Sequence, residues 1–575
     1  MKRSSAIIKF IPTLLIAVCL LYPLSTVSAQ DSLYIMDEFV PAEPVDGYSL
    51  LLDVAGDNQE SVWQWLQSTP TGTQFRARLL NPDTEPYPAH YARLTVDRGP
   101  IVLGLLMHRD TGERNMFDLW RASLSATYNR SRIIVGDFHV DEGLGWTVSG
   151  TPSWSSTTDA YAALRRPRSG IRMNLSAEEG WGWKGAGVSS SFDTPGTTRE
   201  LARVDIWAGL QEFDSFQANA DAPLYPYATQ GDHSEDRTVD IVQLPARHAG
   251  GHVTLHVPFN LGEFGLTGAA TEFLEDISPS VDNSRFRFAD NSFSTVGIGW
   301  DVEIPDRGLE VHSEVATQSS GAMGGGFAFA NRLTGETHVV ASGWRATQDF
   351  ATFHARPTLA FGSDPGGVTG GQLALVHTIQ RTTLSGGLAA DWTEPETGDL
   401  DPKQRQAVFL RVLAGSRSSL RFDGAFRLRR DIDETRQVQN VYASRLYLAR
   451  QYETVFTSAR YTASFERDGS GHGLSLNAQR RFAPWLAFGA TLAGVKQVDA
   501  GSRVTVVETH GPGEFPFRTT STEQVSASAR VDLFPIDGMR LWVRGGIARF
   551  LEDGSSSSDR TDTLISLGLD WSDFL

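Results

Sequence analysis

The last twelve residues, Leu564 to Leu575, constrain this chain more than any other stretch. Ile565, Leu567, Leu569, Trp571 and Leu575 share one face, and Ser566, Gly568, Asp570 and Ser572 share the other, because successive side chains of a strand point to opposite sides. A strand that ends a chain leaves an unpaired edge, and a closed barrel is the architecture that removes every edge. The expected partner of this last strand is therefore the first, near Thr73 to Leu80.

The same period of two runs from Thr73 onward. Val253, Leu255, Val257, Phe259 and Leu261 fall on one face of their run. Leu309 to Thr317 alternates apolar or small residues with Glu310, His312 and Glu314. Leu420, Phe422, Gly424, Phe426 and Leu428 lie opposite Arg421, Asp423, Arg427 and Arg429, and Val525 to Leu533 sets its aliphatic residues against Ser526, Ser528, Arg530 and Asp532. Runs of about nine to eleven residues suit a tilted strand crossing the hydrocarbon layer. A secreted β-sandwich also alternates, but its strands average about five or six residues and would break into domains. Aromatic residues near run ends, Tyr128, Phe273, Trp300, Trp392, Trp485, Phe534 and Trp571, suit two interfacial girdles. The fold class is all-β: a closed antiparallel transmembrane β-barrel of roughly 22–28 strands, even in number.

The domain plan has three parts. Residues 1–29 read as a secretion signal: Lys2, Arg3 and Lys9, the apolar run Ile11 to Leu24, then Val27-Ser28-Ala29. The signal carries the single Cys, Cys19, so the mature chain has no disulfide framework and no thiolate metal site. Residues 30–72 form a short periplasmic, partly helical segment, and 73–575 the barrel. The net charge is −17, and three of the 51 basic residues lie in the acid-free signal, so the mature chain is near −20. That acidity excludes a general nucleic-acid binder, which needs a basic footprint.

Short turns at Asp97–Pro100, Asp306–Gly308 and Pro535–Gly538 are expected on the periplasmic side, and long polar loops outside. The longest, Asp214 to Gly250, is the expected cap or lumen-folded segment.

Several constellations invite chemistry. Asp137, His139 and Asp141 alternate along one strand and read as a hydrated inner face in preference to a metal cluster, since one strand cannot encircle an ion. Among His248, His252 and His256, Gly250-Gly251 is expected to break the run, leaving at most His252 and His256 on one face. Arg421, Arg427, Arg429, Arg530, Arg540 and Arg544 interleave with Asp423 and Asp532 on the faces assigned inward. A network stiffening the wall is preferred to an anion-selective pore. The acidic stretches Asp232–Asp236 and Asp399–Asp401 lack the spacing of a Ca²⁺ loop. Neither a Gly-x-Ser-x-Gly elbow nor a His-Glu-x-x-His motif is present, so no catalytic, cofactor-binding or metal residues are assigned.

Two stretches carry a resemblance. The final strand resembles the C-terminal recognition strand of bacterial outer-membrane barrels, with Leu575 where an aromatic residue is usual. Gly136-Asp-Phe-His-Val-Asp-Glu-Gly-Leu-Gly-Trp146, preceded by Ile101 to Asp110 and Phe117 to Tyr128, resembles a group of outer-membrane barrel proteins that often carry N-terminal helix-hairpin-helix repeats. Tyr48 to Thr69 would be a remnant of those repeats. The resemblance implies no catalytic activity.

The functional expectation is an outer-membrane barrel acting as a passive channel or substrate-specific transporter, and not an enzyme. The alternative is a structural or surface-interaction barrel with a self-plugged lumen, and a barrel hydrolase stands third. Outer-membrane lipid and the barrel-assembly machinery are the expected partners, with a small solute of unassigned chemistry and no cofactor.

Overall fold

The computed structural model describes residues 72–82, 89–109, 119–149, 160–161, 164, 170–175, 182–194, 200–216, 225–226, 241–257, 262–275, 277, 291–355, 357, 366–394, 402–415, 420–433, 436–452, 455–466, 469–498, 504–507, 517–520, 523–536, 539–550 and 560–572. The expected signal, the partly helical segment and Asp573 lie outside them, as do the two acidic stretches.

The first strands are β1 (Gly72–Pro82), β2 (Ala89–Arg98), β3 (Ile101–Arg109), β4 (Leu119–Tyr128), β5 (Ser131–Asp141), β6 (Gly170–Met173) and β7 (Trp183–Asp193). Next come β8 (Glu200–Phe216), β9 (Tyr225–Pro226), β10 (Ile241–Val257), β11 (Gly262–Phe273), β12 (Ser292–Ile304), β13 (Leu309–Gln318) and β14 (Met323–Arg332). They continue as β15 (Thr337–Ala346), β16 (Val368–Ile379), β17 (Thr382–Thr393), β18 (Lys403–Ala414), β19 (Leu420–Ile432), β20 (Val438–Tyr452) and β21 (Val455–Glu466). The last are β22 (Gly469–Ala483), β23 (Leu486–Val498), β24 (Val504–Val507), β25 (Phe517–Thr520), β26 (Gln524–Leu533), β27 (Met539–Phe550) and β28 (Arg560–Ser572). No described helix is long and apolar enough to cross a membrane.

One antiparallel sheet holds 26 of these strands; β6 and β9 are short and paired on one side only, so 24 make the wall. Followed strand by strand, the pairings return to their start: β1 pairs with β2 on one side and with β28 on the other. The seam register runs from Gln74 opposite Ser572 to Pro82 opposite Leu564, so the last strand meets the first where the alternation required it. Short connections gather at one end with the start of β1 and the end of β28, as at Gly99–Pro100 and Pro305–Gly308. The long ones, 142–182 and 347–367 among them, gather at the other.

The two faces of the wall are inverted relative to a water-soluble protein. Ile206, Ile298, Val315, Leu388, Leu492 and Ile565 stand exposed, each more than half open. Their strand neighbours Asp205, Glu314, Thr491 and Ser566 are buried on the other face. Alternation alone produces this division, because one face carries nearly all the aliphatic residues.

Three sequence expectations are corrected. Asp214 to Gly250 is not one long loop: Ile241 to Gly250 pairs with Trp207 to Phe216, which extends β8 and β10 to 17 residues each. The same pairing carries β10 straight through Gly250-Gly251, so His248 shares the inner face with His252 and His256. Phe273 belongs to no outer girdle. It is buried with Phe213, Phe293 and Phe353, whereas Tyr128, Trp300, Trp392 and Trp485 do face outward.

Candidate functional site

At Gly136 the chain leaves the wall. Strand β5 pairs with β4 only as far as Gly136 opposite Ser123, and beyond it β6 takes the place of β4, from Phe138 opposite Met173 to Asp141 opposite Gly170. Gly136 sits at φ 108°, and a Cβ there would lie 1.9 Å from the Ala122 carbonyl oxygen, so only glycine makes this bend. Asp137 then caps the abandoned ladder, its carboxylate accepting the Ala122 N–H at 2.9 Å. Phe138 and Val140 become fully buried among Ile134, Trp183 and Trp207. Of Asp137, His139 and Asp141, expected on a hydrated inner face, the structure places Asp137 and Asp141 in buried positions. Asp141 is 1% exposed, held by the Ser149 hydroxyl at 2.9 Å and by Arg172, while His139 is half-buried.

The segment that follows is a tight turn inserted against the opposite wall. Glu142 donates its N–H to the Val148 carbonyl and Gly145 donates to the Glu142 carbonyl, both at 3.1 Å. Gly143 lies at φ 58°, and a side chain there would strike the Glu314 carboxylate. The turn thereby aims its donors at that single group. Leu144 N–H reaches Glu314 Oε2 at 2.5 Å and Trp146 N–H reaches it at 3.1 Å. Thr147 gives Oε1 both its N–H at 2.8 Å and its hydroxyl at 2.5 Å. Hydrogen bonds to a charged group contribute about 1.5–3 kcal/mol each, and here the carboxylate is 3% exposed.

Beside this clasp lies a second polar cluster. Glu142 takes Arg203 Nη2 on both oxygens, at 3.0 and 2.9 Å, and Arg203 Nε reaches Asp205 Oδ2 at 2.8 Å. His252 Nε2 is 3.3 Å from Glu142 and 2.5 Å from the Thr254 hydroxyl, and its Nδ1 is 2.7 Å from the Thr267 hydroxyl. Burial pushes the Glu142 carboxyl well above the usual range; Arg203 pulls it down, while Asp205 and Asp141 push it further up. A cavity of about 190 Å³ opens here, lined in part by Glu142, Arg203, His252, Glu263, Asp301 and Glu314.

A second loop, after β15, meets the first inside the ring. Ser149 N–H donates to the His354 carbonyl at 2.8 Å, and Trp146 packs edge-on against Phe350 with ring centres 5.6 Å apart. Gln318 of the wall holds Ala351 by both its N–H and its carbonyl, at 2.9 and 2.6 Å. Phe350 and Ala351 have no exposed surface. A third element, the β24–β25 hairpin, lies against β21, β22 and β23.

The arginines and aspartates singled out in the sequence occupy two other stretches of wall. On β19, Arg421 and Asp423 are buried and Arg427 and Arg429 half-buried. Asp423 accepts Arg411 on both oxygens at 3.0 Å and Arg445 at 3.1 Å. On β26 and β27, Asp532 takes Arg530 at 3.0 Å and Arg540 at 2.8 Å, and Arg544 is buried opposite Arg530 in the register. A parallel pair joins Arg405 to Asp391. Arg411, Arg445, Arg203, Asp205, Glu142 and Glu314 were not singled out as site residues. Only the fact that each sits on a polar face of its run, or in the Gly-rich turn, marked them.

No family model matches the chain, and no curated protein matches it. It is similar to the solved siderophore receptor PirA from Acinetobacter baumannii, at 10% identity and a TM-score of 0.43 over 88% of this chain and 81% of that one. The copper transporter OprC aligns at 9% identity and a TM-score of 0.44, covering 87% of this chain and 80% of that one. The translocation pore of the P pilus usher PapC aligns at 9% and 0.36, covering 87% and 98%.

Proposed function

We propose that this chain is a bacterial outer-membrane barrel that transports a specific substrate through a lumen held shut at rest by its own loops. The exposed aliphatic belt supports the membrane location, since a contiguous apolar surface of this extent demands a non-aqueous partner. Closure of the wall by β1 and β28 leaves no edge in lipid. The end bearing both barrel termini and the short turns faces the periplasm, and the long loops face outward, as the signal and final strand imply. Outer-membrane lipid and the assembly machinery that reads the last strand are its partners, and no nucleic acid is.

The single observation that carries the gated reading is the four-donor grip of residues 144–147 on Glu314. It fixes an inserted loop to the wall by bonds that can be made and broken. A passive open pore needs no such device. Arg421, Asp423, Arg427, Arg429, Arg530, Asp532, Arg540 and Arg544 then line the remaining lumen as paired charges that stiffen the wall. Asp137, His139 and Asp141 support the inserted segment. Liposome-swelling assays with sugars and amino acids of graded size test this: the wild type should exclude them, and a variant with the grip removed should admit them. Swelling by the wild type itself would contradict gating. Exclusion by both would favour a self-plugged structural barrel.

A further inference from the structure

We propose that Glu142, Asp205 and His252 form a binding site for one divalent first-row metal ion, which ties the inserted loop to the wall at a second point. One ligand atom from each lies within 4.8 Å of the others, and all three residues are buried. The donors come from three separate elements: Glu142 from the loop, Asp205 from β8 and His252 from β10. Two carboxylates and an imidazole are a set that Zn²⁺ and its neighbours accept. A partner on the ring's other nitrogen ordinarily orients a ligating histidine. Thr267 stands there at 2.7 Å from Nδ1, while Nε2 lies 3.3 Å from Glu142 and 2.5 Å from the Thr254 hydroxyl, which a bound ion would displace.

One further observation points to a cation. Asp205 has no exposed surface, and its Oδ1 has no hydrogen-bond partner among the described residues, although Oδ2 takes Arg203. A buried carboxylate oxygen left in that state costs free energy that a bound ion recovers. Glu142 and His252 both line the cavity, so an ion reaches the site without unfolding the wall and keeps an open coordination position there. The site stands independently of the transport reading, because a metal at this point fastens the loop whether or not anything passes.

The test uses the full chain folded in detergent micelles and stripped with EDTA. Zinc is added back and measured by equilibrium dialysis with elemental analysis. The expected result is one zinc per chain, with Asp205→Asn and His252→Gln weakening binding on the order of 100-fold and Thr267→Val by about 10–100-fold. Glu263→Gln, which alters the cavity lining outside the set, should bind as the wild type does. Visible absorption of Co²⁺ bound in place of zinc should appear in the wild type and vanish in His252→Gln. Heat-modifiable gel migration identifies folded variants, and the wild-type stoichiometry decides the matter where one fails to fold. Absence of retained zinc in the wild type overturns the proposal. So does binding that survives both Asp205→Asn and His252→Gln, or that is lost equally in Glu263→Gln.

Discussion

Thr147 gives both its backbone N–H and its hydroxyl to the Glu314 carboxylate, at 2.8 and 2.5 Å, across 167 residues of chain. Loop and wall are thus joined by charge-assisted bonds inside the ring. Removing the acceptor leaves several buried donors unpaired, each costing about 1–3 kcal/mol. Glu314→Ala should therefore release the loop without opening the sheet. Hydrogen exchange read by mass spectrometry should show the amides of 144–147 change from protected to fast while the β13 ladder stays protected. Continued protection of those amides would show that packing alone holds the loop.

Gly297 offers the same result without touching a charge. A Cβ there would lie 1.8 Å from the Thr147 hydroxyl oxygen. Gly297→Ala should push Thr147 off Glu314 and reproduce the exchange pattern of Glu314→Ala. Gly545→Ala, where an added Cβ meets nothing within 4 Å, should leave exchange unchanged.

The paired arginines make a stability prediction. Asp423 is fully buried and holds Arg411 and Arg445, which are 14% and 30% exposed. Asp423→Asn leaves two guanidiniums without their counter-charge, and breaking such a pair costs about 3–5 kcal/mol when fully buried. The partial exposure of the arginines places the loss at the lower end. Urea-induced unfolding in lipid vesicles should register it, and a midpoint equal to that of the wild type would refute the stiffening role.

Leu567 tests the outward face. It is exposed on β28 beside the seam, opposite Leu79 of β1 in the register. Leu567→Arg should cost about 2–4 kcal/mol of folding free energy in phosphatidylcholine vesicles if this position lies near the bilayer midplane. A loss below about 1 kcal/mol would place it at an interface.

The wall was legible because its outer face must be apolar and its inner face need not be, so a period of two survives along nearly every strand. Even the seam followed from one terminal strand needing a partner. The site was not legible in the same way. Glu314 reads like any carboxylate on an inner face, and nothing near it in sequence names Thr147. Gly136-Asp137-Phe138 stood out as a motif, but its physical role needed the neighbour: a bend that glycine alone makes, a carboxylate that caps β4, and an aromatic carried into the interior. His248 was misplaced because two glycines resemble a break, although β8 pairs straight through them. Phe273 was misplaced because an aromatic at a strand end suits either face.

Single-channel recording in planar bilayers tests the central claim most directly. The wild-type barrel should insert and pass no steady current, while Glu314→Ala should show discrete conducting steps. A wild type that conducts as freely as Glu314→Ala would contradict a lumen held shut by its own loops.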